Sequence, residues 1–389
     1  MKVNADRNGT FGNIDFFFFF YALSLFFTDN RFSVYRIDGS ISLQWHHLIF
    51  GLLFAYVVVR RYSIIIPSIK LGLFFLYLVL CSFVNAFIWG FGSMTINAVY
   101  AFLVVCVTYT YCKHLDIDCI KRSIYYAFMT VLVLIYINIF VQANEIIIFL
   151  MKPYGHPRLN VFVGGGVNLE ATLLGMFSVI ALEKKNGLVI WALTSAVSML
   201  YASRTGIIIN ILVLAWYLLF QKKRDWKYLF RIIAVSIFVI IVALSTKSGR
   251  YMINRFLHGS TAVGTINRKK IWIDSFLIFA KYPLGVGCGN IMRVISKLLH
   301  HIYAEDNAHN MYIQYMAEEG IIGIIFLLSG LFFILRNEVK SRFANIFGVF
   351  VLIYLFQGLF QSRGIDGWAA FMLGIYFYTI NCERDLLIY

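Results

Sequence analysis

Apolar runs of membrane length recur along this chain from Phe16 to Ile380, and short basic loops separate them. A lipid-exposed backbone must satisfy its own hydrogen bonds, and these runs lack the period-two alternation of barrel strands. The chain is therefore expected to be all-α. Composition agrees, at 60% hydrophobic against 14% charged residues, a charged share well below that of soluble domains. A water-soluble fold could not hide so much apolar surface.

The runs predict about 12 transmembrane helices, over 14–28, 44–59, 71–89, 94–112, 123–143, 161–182, 187–202, 205–220, 228–246, 309–335, 343–361 and 366–381, within one transmembrane domain spanning 1–389. The first run, Phe16 to Phe27, is short for a span. Thr28-Asp29-Asn30-Arg31 follows it in place of a small-residue cleavage site, so it reads as an uncleaved anchor. The six cysteines imply no disulfide framework or metal cluster.

With the N-terminus inside, the inner loops collect Arg60-Arg61, Lys121-Arg122, Lys184-Lys185, Lys222-Lys223-Arg224 and the stretch from Arg336 to Arg342. That is the positive-inside pattern, and it puts both termini in the cytoplasm. The stretch 247–308 breaks the pattern. It is the one long hydrophilic connection, falls outside by parity, and carries nine Lys or Arg against three acids. Long loops translocate largely regardless of charge, so topology permits this loop without accounting for it. A fixed anionic ligand would account for it. Within the loop, Lys269 to Phe279 reads as an amphipathic helix on the membrane surface with its Trp and Phe in the interface, and Lys281 to Asn290 reads as a tight glycine-rich turn.

Several residues stand out against blander readings. Arg204, in Ser203-Arg204-Thr205-Gly206 between two apolar runs, is either a snorkelling anchor or a phosphate clamp whose planar fork donates two hydrogen bonds at once. Asn267-Arg268-Lys269-Lys270 is either a headgroup-facing basic run or part of the same clamp, and neither Arg204 nor Arg268 has an obvious acidic partner. His309, in Ala308-His309-Asn310 at the mouth of a long apolar run, is either a polar cap or a proton acceptor near neutral pH. Gly285-x-Gly287-x-Gly289 imitates a nucleotide loop, but no strand leads into it. Asp116-x-Asp118 imitates a metal-binding pair, but it sits among Lys113, His114 and Lys121 and reads as solvated surface.

Taken together, these stretches resemble the O-antigen ligase and O-antigen polymerase superfamily of bacterial membrane glycosyltransferases, over roughly Arg158 to Ile380. Three elements carry the resemblance: Ser-Arg-Thr-Gly at 203–206, the Arg268…Trp272 helix leading to Pro283-Leu284-Gly285-Val286-Gly287, and His309-Asn310-x9-Gly320-x-x-Gly323. The resemblance implies a polyprenyl-diphosphate-linked (undecaprenyl-type) oligosaccharide donor held at the periplasmic face of the inner membrane, with Arg204, Arg268 and His309 catalytic. Arg158, Asn310, Tyr312 and Lys269 are expected to bind substrate. Arg158 leads into Gly164-Gly165-Gly166-Val167-Asn168-Leu169-Glu170, where members often carry an Arg…Gly…Asn stretch.

The residue chemistry fits this reading. A departing polyprenyl diphosphate carries several negative charges, and fixed guanidinium groups can stabilise them where no metal motif is visible. His309 would take or orient the acceptor proton, and a single displacement would invert the anomeric carbon. No cofactor, metal or nucleic-acid partner is expected; the partners are the lipid-linked donor, an acceptor glycan and membrane lipids. The acceptor is either the next lipid-linked repeat unit, for a polymerase of lipopolysaccharide biosynthesis, or lipid A-core, for a ligase. The Gly-Gly-Gly-Val-Asn-Leu-Glu stretch inclines the reading to polymerase. A flippase of the same lipid-linked sugar is the alternative from another class, against which stands the lack of visible repeats.

Overall fold

The computed structural model describes residues 14–37, 41–90, 93–152, 156–220, 263–303, 305, 307–360 and 366–388, with isolated positions between 230 and 254. Before the central gap lie α1 (Phe16–Ser24), a hairpin of β1 (Ser33–Ile37) and β2 (Ile41–Gln44), α2 (Trp45–Val59), α3 (Ile69–Trp89), α4 (Ser93–Cys112), α5 (Ile117–Val141), α6 (Ala143–Met151), α7 (Val167–Leu182), α8 (Gly187–Leu200) and α9 (Arg204–Phe220). After it lie α10 (Val263–Lys281), α11 (Ile291–Leu299), α12 (Met311–Lys340), α13 (Ile346–Gln357) and α14 (Gly367–Ile388).

Among the described residues, four helices, α3, α4, α5 and α12, are long and apolar enough to cross a membrane, and α2, α7, α8, α9 and α13 are shorter apolar helices. The expected span at 228–246, the basic cluster at 222–224 and part of the 247–308 loop lie outside the described residues. The fold is all-α, as expected, with one short hairpin added, in which β1 and β2 pair antiparallel from Ser33↔Gln44 to Ile37↔Ile41. A short hairpin is permitted where it caps the bundle and its backbone pairs internally. The expected span at 161–182 is a loop up to Val167, since Gly165 and Gly166 hold left-handed φ values of 106° and 85° that an α-helix cannot use.

The helices have two distinct ends. At the hairpin end, Gln44 Nε2 donates to the Thr28 carbonyl at 2.6 Å, and the Thr28 and Asp29 amides donate to the Phe162 carbonyl at 3.1 and 2.9 Å. At the opposite end, Asp15 accepts from the Phe18 amide and the Tyr111 hydroxyl, and Lys121 pairs with Glu183 at 3.0 Å. Asp116 and Asp118 lie at this second end and are exposed, as expected for solvated surface.

α7 runs through the centre, buried along nearly its whole length. The Phe177 ring meets Phe26, Phe128 and Phe350 at centroid distances of 4.8, 6.0 and 5.0 Å. α9 lies against α7 because the contact stripe is small: Gly206 faces Ala171, and Gly175 faces Ile209 and Asn210. Asn210 fastens this layer, donating to Ser198 Oγ at 3.0 Å and accepting from Thr194 Oγ1 at 3.0 Å.

The longest of the described helices, α12, is broken at Gly320, whose φ of 67° and ψ of −163° interrupt the helix. The glycine-rich turn before α11 fills the break. The Val286 and Gly287 amides donate to the carbonyls of Ala317 (3.2 Å) and Glu318 (2.8 Å), and the Ile321 amide donates to the Pro283 carbonyl (2.9 Å). Tyr77 of α3 donates to the Glu319 carbonyl at 2.6 Å. Groups freed by the break thus find partners outside the helix, as buried backbone must.

Candidate active site

Arg204, Arg268 and His309 lie towards the hairpin end. α7 and α9 start there side by side: Ser203 Oγ accepts from the Gly206 amide at 3.1 Å, capping α9, and donates to the Asn168 carbonyl at 3.4 Å. Arg204 is the first residue of α9 and is half-buried. A guanidinium at a helix N-terminus adds to the positive pole of the dipole, and both favour an anion. Beside it, His156 Nδ1 lies 3.0 Å from the Tyr201 carbonyl and Nε2 lies 3.1 Å from Asn168 Nδ2, an arrangement that fits a neutral ring protonated on Nδ1. Glu170 shapes the loop that carries Arg158: fully buried, it accepts from the Phe162 and Val163 amides at 2.6 and 3.1 Å and from the Tyr201 hydroxyl at 2.8 Å.

The second cation comes from α10. Arg268 and Trp272, four residues apart, share one face. Trp272 Nε1 donates to the Ala308 carbonyl at 2.7 Å, which sets His309 beside the Arg268 helix. Two residues on, Asp274 Oδ2 holds His301 Nδ1 at 2.8 Å and the Tyr303 hydroxyl at 2.7 Å, so the segment leading to His309 is pinned twice. Lost solvation pulls the Arg268 guanidinium below its ordinary value, and the Glu305 carboxylate partly offsets this. Glu305 is thus the acidic neighbour that the sequence left unseen. The interface reading of α10 holds only in part: Ile273, Phe276 and Leu277 are exposed, but Trp272 turns to the chain.

His309 sits just outside α12, with a left-handed φ of 51° and its amide donating to Asn307 Oδ1 at 2.8 Å. The cap of α12 is Asn310, whose Oδ1 accepts from the Tyr312 and Ile313 amides at 3.0 and 3.1 Å and whose Nδ2 donates to the Leu359 carbonyl at 3.1 Å. The polar cap of α12 is therefore Asn310. α13 ties this corner to Arg204. Phe350 on Phe177 and the 3.0 Å bond from Trp216 Nε1 to the Phe343 carbonyl set α13 antiparallel to α7 and α9. The last turn of α13 therefore ends near the start of α9, and there the Met311 amide donates to the Gly358 carbonyl at 2.7 Å.

The other expected substrate contacts divide. Arg158 and Lys269 are exposed at the rim. Tyr312 donates its hydroxyl to the Leu355 carbonyl at 2.9 Å, so with Asn310 it serves the α12–α13 corner. The Gly285-x-Gly287-x-Gly289 turn fills the break in α12. Sequence reading missed His156, Glu170 and Glu305, and also a buried group of Cys288, Glu318 and Glu319 whose ligand atoms lie within 4.8 Å of one another. An acid inside an apolar run was the available signal for Glu170, Glu318 and Glu319.

These features define a helical membrane protein with two arginines and a histidine gathered at one end of the bundle. Residues 187–328 match the family model described as O-antigen ligase, and the matched stretch contains Arg204, Arg268 and His309. The match supports the O-antigen ligase and polymerase superfamily, the resemblance carried by the three motifs. Among curated proteins, no relative matches the chain.

Proposed function

We propose that the chain is an O-antigen polymerase-type glycosyltransferase, joining polyprenyl-diphosphate-linked oligosaccharide units at the periplasmic face of the inner membrane, with both termini cytoplasmic. The observation that carries this reading is the bond from Trp272 to the Ala308 carbonyl, which brings His309 to the helix of Arg268 at the end where Arg204 begins α9. In this reading Arg204 and Arg268 hold the diphosphate through bidentate hydrogen bonds and stabilise it as it leaves, without a metal at that point. His309 takes or orients the proton of the attacking hydroxyl, and a single displacement inverts the anomeric carbon. Arg158 and Lys269, exposed at the rim, contribute long-range attraction for the anionic donor. Asn310 and Tyr312 hold the corner from which His309 projects.

The description of the matched family favours a second reading, in which the acceptor is lipid A-core. Deleting the gene decides between the two. Loss of a polymerase leaves core carrying a single repeat unit on a lipopolysaccharide gel; loss of a ligase leaves bare core with polymer accumulated on the lipid carrier. The expected result is core plus one unit, restored by wild type and not by His309→Ala. Bare core with neither polymer nor outward-facing lipid-linked units would point to a transporter.

A further inference from the structure

The glycine-rich turn brings one more group of side chains into the break of α12. Glu318 and Glu319 are 4% and 1% exposed, and Cys288 reaches them from the turn. Their ligand atoms, one from each residue, lie within 4.8 Å of one another. Glu318 is partly satisfied, its Oε1 accepting long bonds of 3.3 Å from the Ile291 amide and from Gln314 Nε2. Neither oxygen of Glu319 accepts a hydrogen bond with acceptable geometry. Among the described residues, the thiols of Cys288 and of Cys81 on α3 and the Glu318 carboxylate stand beside it. Among the described residues no lysine or arginine forms an ion pair with either carboxylate. A buried carboxylate lacking donors and a counter-charge costs several kcal/mol of lost solvation, which a neighbouring acid increases.

The geometry points to a site for one divalent metal ion of the zinc class, held by the Cys288 thiolate and the carboxylates of Glu318 and Glu319, which staples the glycine-rich turn to the broken helix. The donor set is a borderline-soft one, with a sulfur and two oxygens, which suits zinc over magnesium or calcium. Zinc–sulfur and zinc–oxygen bonds of about 2.3 and 2.0–2.2 Å place ligands roughly 3.5 Å apart, so binding draws the three atoms together by about 1 Å. Cys288 is partly exposed as a residue. Cys81 is the nearest further donor. The ion enters as the thiol proton, and any carboxyl proton, is released. Glu319 lies eight residues into α12, about 12 Å along the axis from its start. The ion's role is therefore to hold the fold near the site and not to touch the transferred sugar.

The test uses the full chain, purified in detergent without chelator from cells grown with added zinc, and counts metal by elemental mass spectrometry. About one equivalent of zinc per chain is expected in the wild type, falling several-fold in Cys288→Ser and in Glu319→Gln. Cobalt exchanged into the wild type should show a thiolate charge-transfer band that Cys288→Ser lacks. Wild-type chain that carries no more zinc than the variants and takes none up from micromolar zinc would overturn the site. The wild-type count needs no variant to fold, and it is independent of any glycan reaction.

Discussion

Gly285 and Gly320 occupy one another's space: a Cβ on Gly320 would meet the backbone of Pro283, Leu284 and Gly285, and a Cβ on Gly285 would meet that of Glu318 and Glu319. Both residues also hold left-handed φ values, 91° and 67°.

Replacing either glycine by alanine is therefore expected to destabilise the protein through strain and a backbone clash together, by at least ~2 kcal/mol. Thermal unfolding in detergent should show a clear drop in midpoint for Gly320→Ala and for Gly285→Ala. Gly330, which has open space where its Cβ would sit, is the control, and Gly330→Ala should change little. Equal midpoints for all three would remove the interlock.

Trp272→Phe keeps an aromatic ring but loses the indole's five-membered ring together with the N–H that holds the Ala308 carbonyl. A net hydrogen bond of about 1 kcal/mol corresponds to roughly a five-fold effect, read as reduced product at normal protein level. If product is unchanged, His309 is positioned by something other than this bond.

For Arg204 and Arg268, alanine should abolish detectable product and lysine should restore a part, since a point charge replaces a planar fork. Loss of one such donor to a leaving charge costs ~3–4 kcal/mol, or ~100–1000-fold. Near-normal product from both alanine variants, at matched expression, would falsify the clamp.

His309 and Asn310 are adjacent and should fail differently. Asn310→Ala loses the cap of α12 and should lower stability by about 1 kcal/mol. His309→Ala should leave the unfolding midpoint unchanged and cut activity by ~100-fold or more. A destabilised His309→Ala, or an active one, would remove the histidine from the chemistry.

Orientation can be read with single cysteines at Lys184 and Lys281, both exposed, in a background without native cysteine. An impermeant reagent added to intact spheroplasts should label position 281 and not 184. The reverse pattern would put the arginine-bearing end in the cytoplasm and end the polymerase proposal.

Much of the candidate site was legible because its residues are rare in such surroundings: arginine and histidine at the ends of apolar helices, as at Arg204 and His309, stand out against their neighbours. The mouth of α12 was harder, because Ala308-His309-Asn310 offers two capable polar residues and only backbone geometry assigns the cap to Asn310. The interlock was not legible at all. The Gly320 to Gly323 spacing is visible, but nothing local says that its partner lies at Gly285, across α11 and a pinned loop. Glu305 escaped for the same reason, reaching Arg268 through a fold-back that neither segment encodes alone. The hairpin was masked by its position between two apolar runs, in a chain whose composition argued for helices throughout.

The 2.7 Å bond from the Met311 amide to the Gly358 carbonyl also sets an order in time. During synthesis Arg204 and Arg268 leave the ribosome before residue 358, so the corner that presents His309 is among the last parts of the protein to close. A chain ending at Phe343 should insert its earlier helices and yet leave the 300–310 segment open to protease. Full-length chain should resist cleavage there, so an unfinished polypeptide is distinguishable from a finished one at the segment that leads to His309.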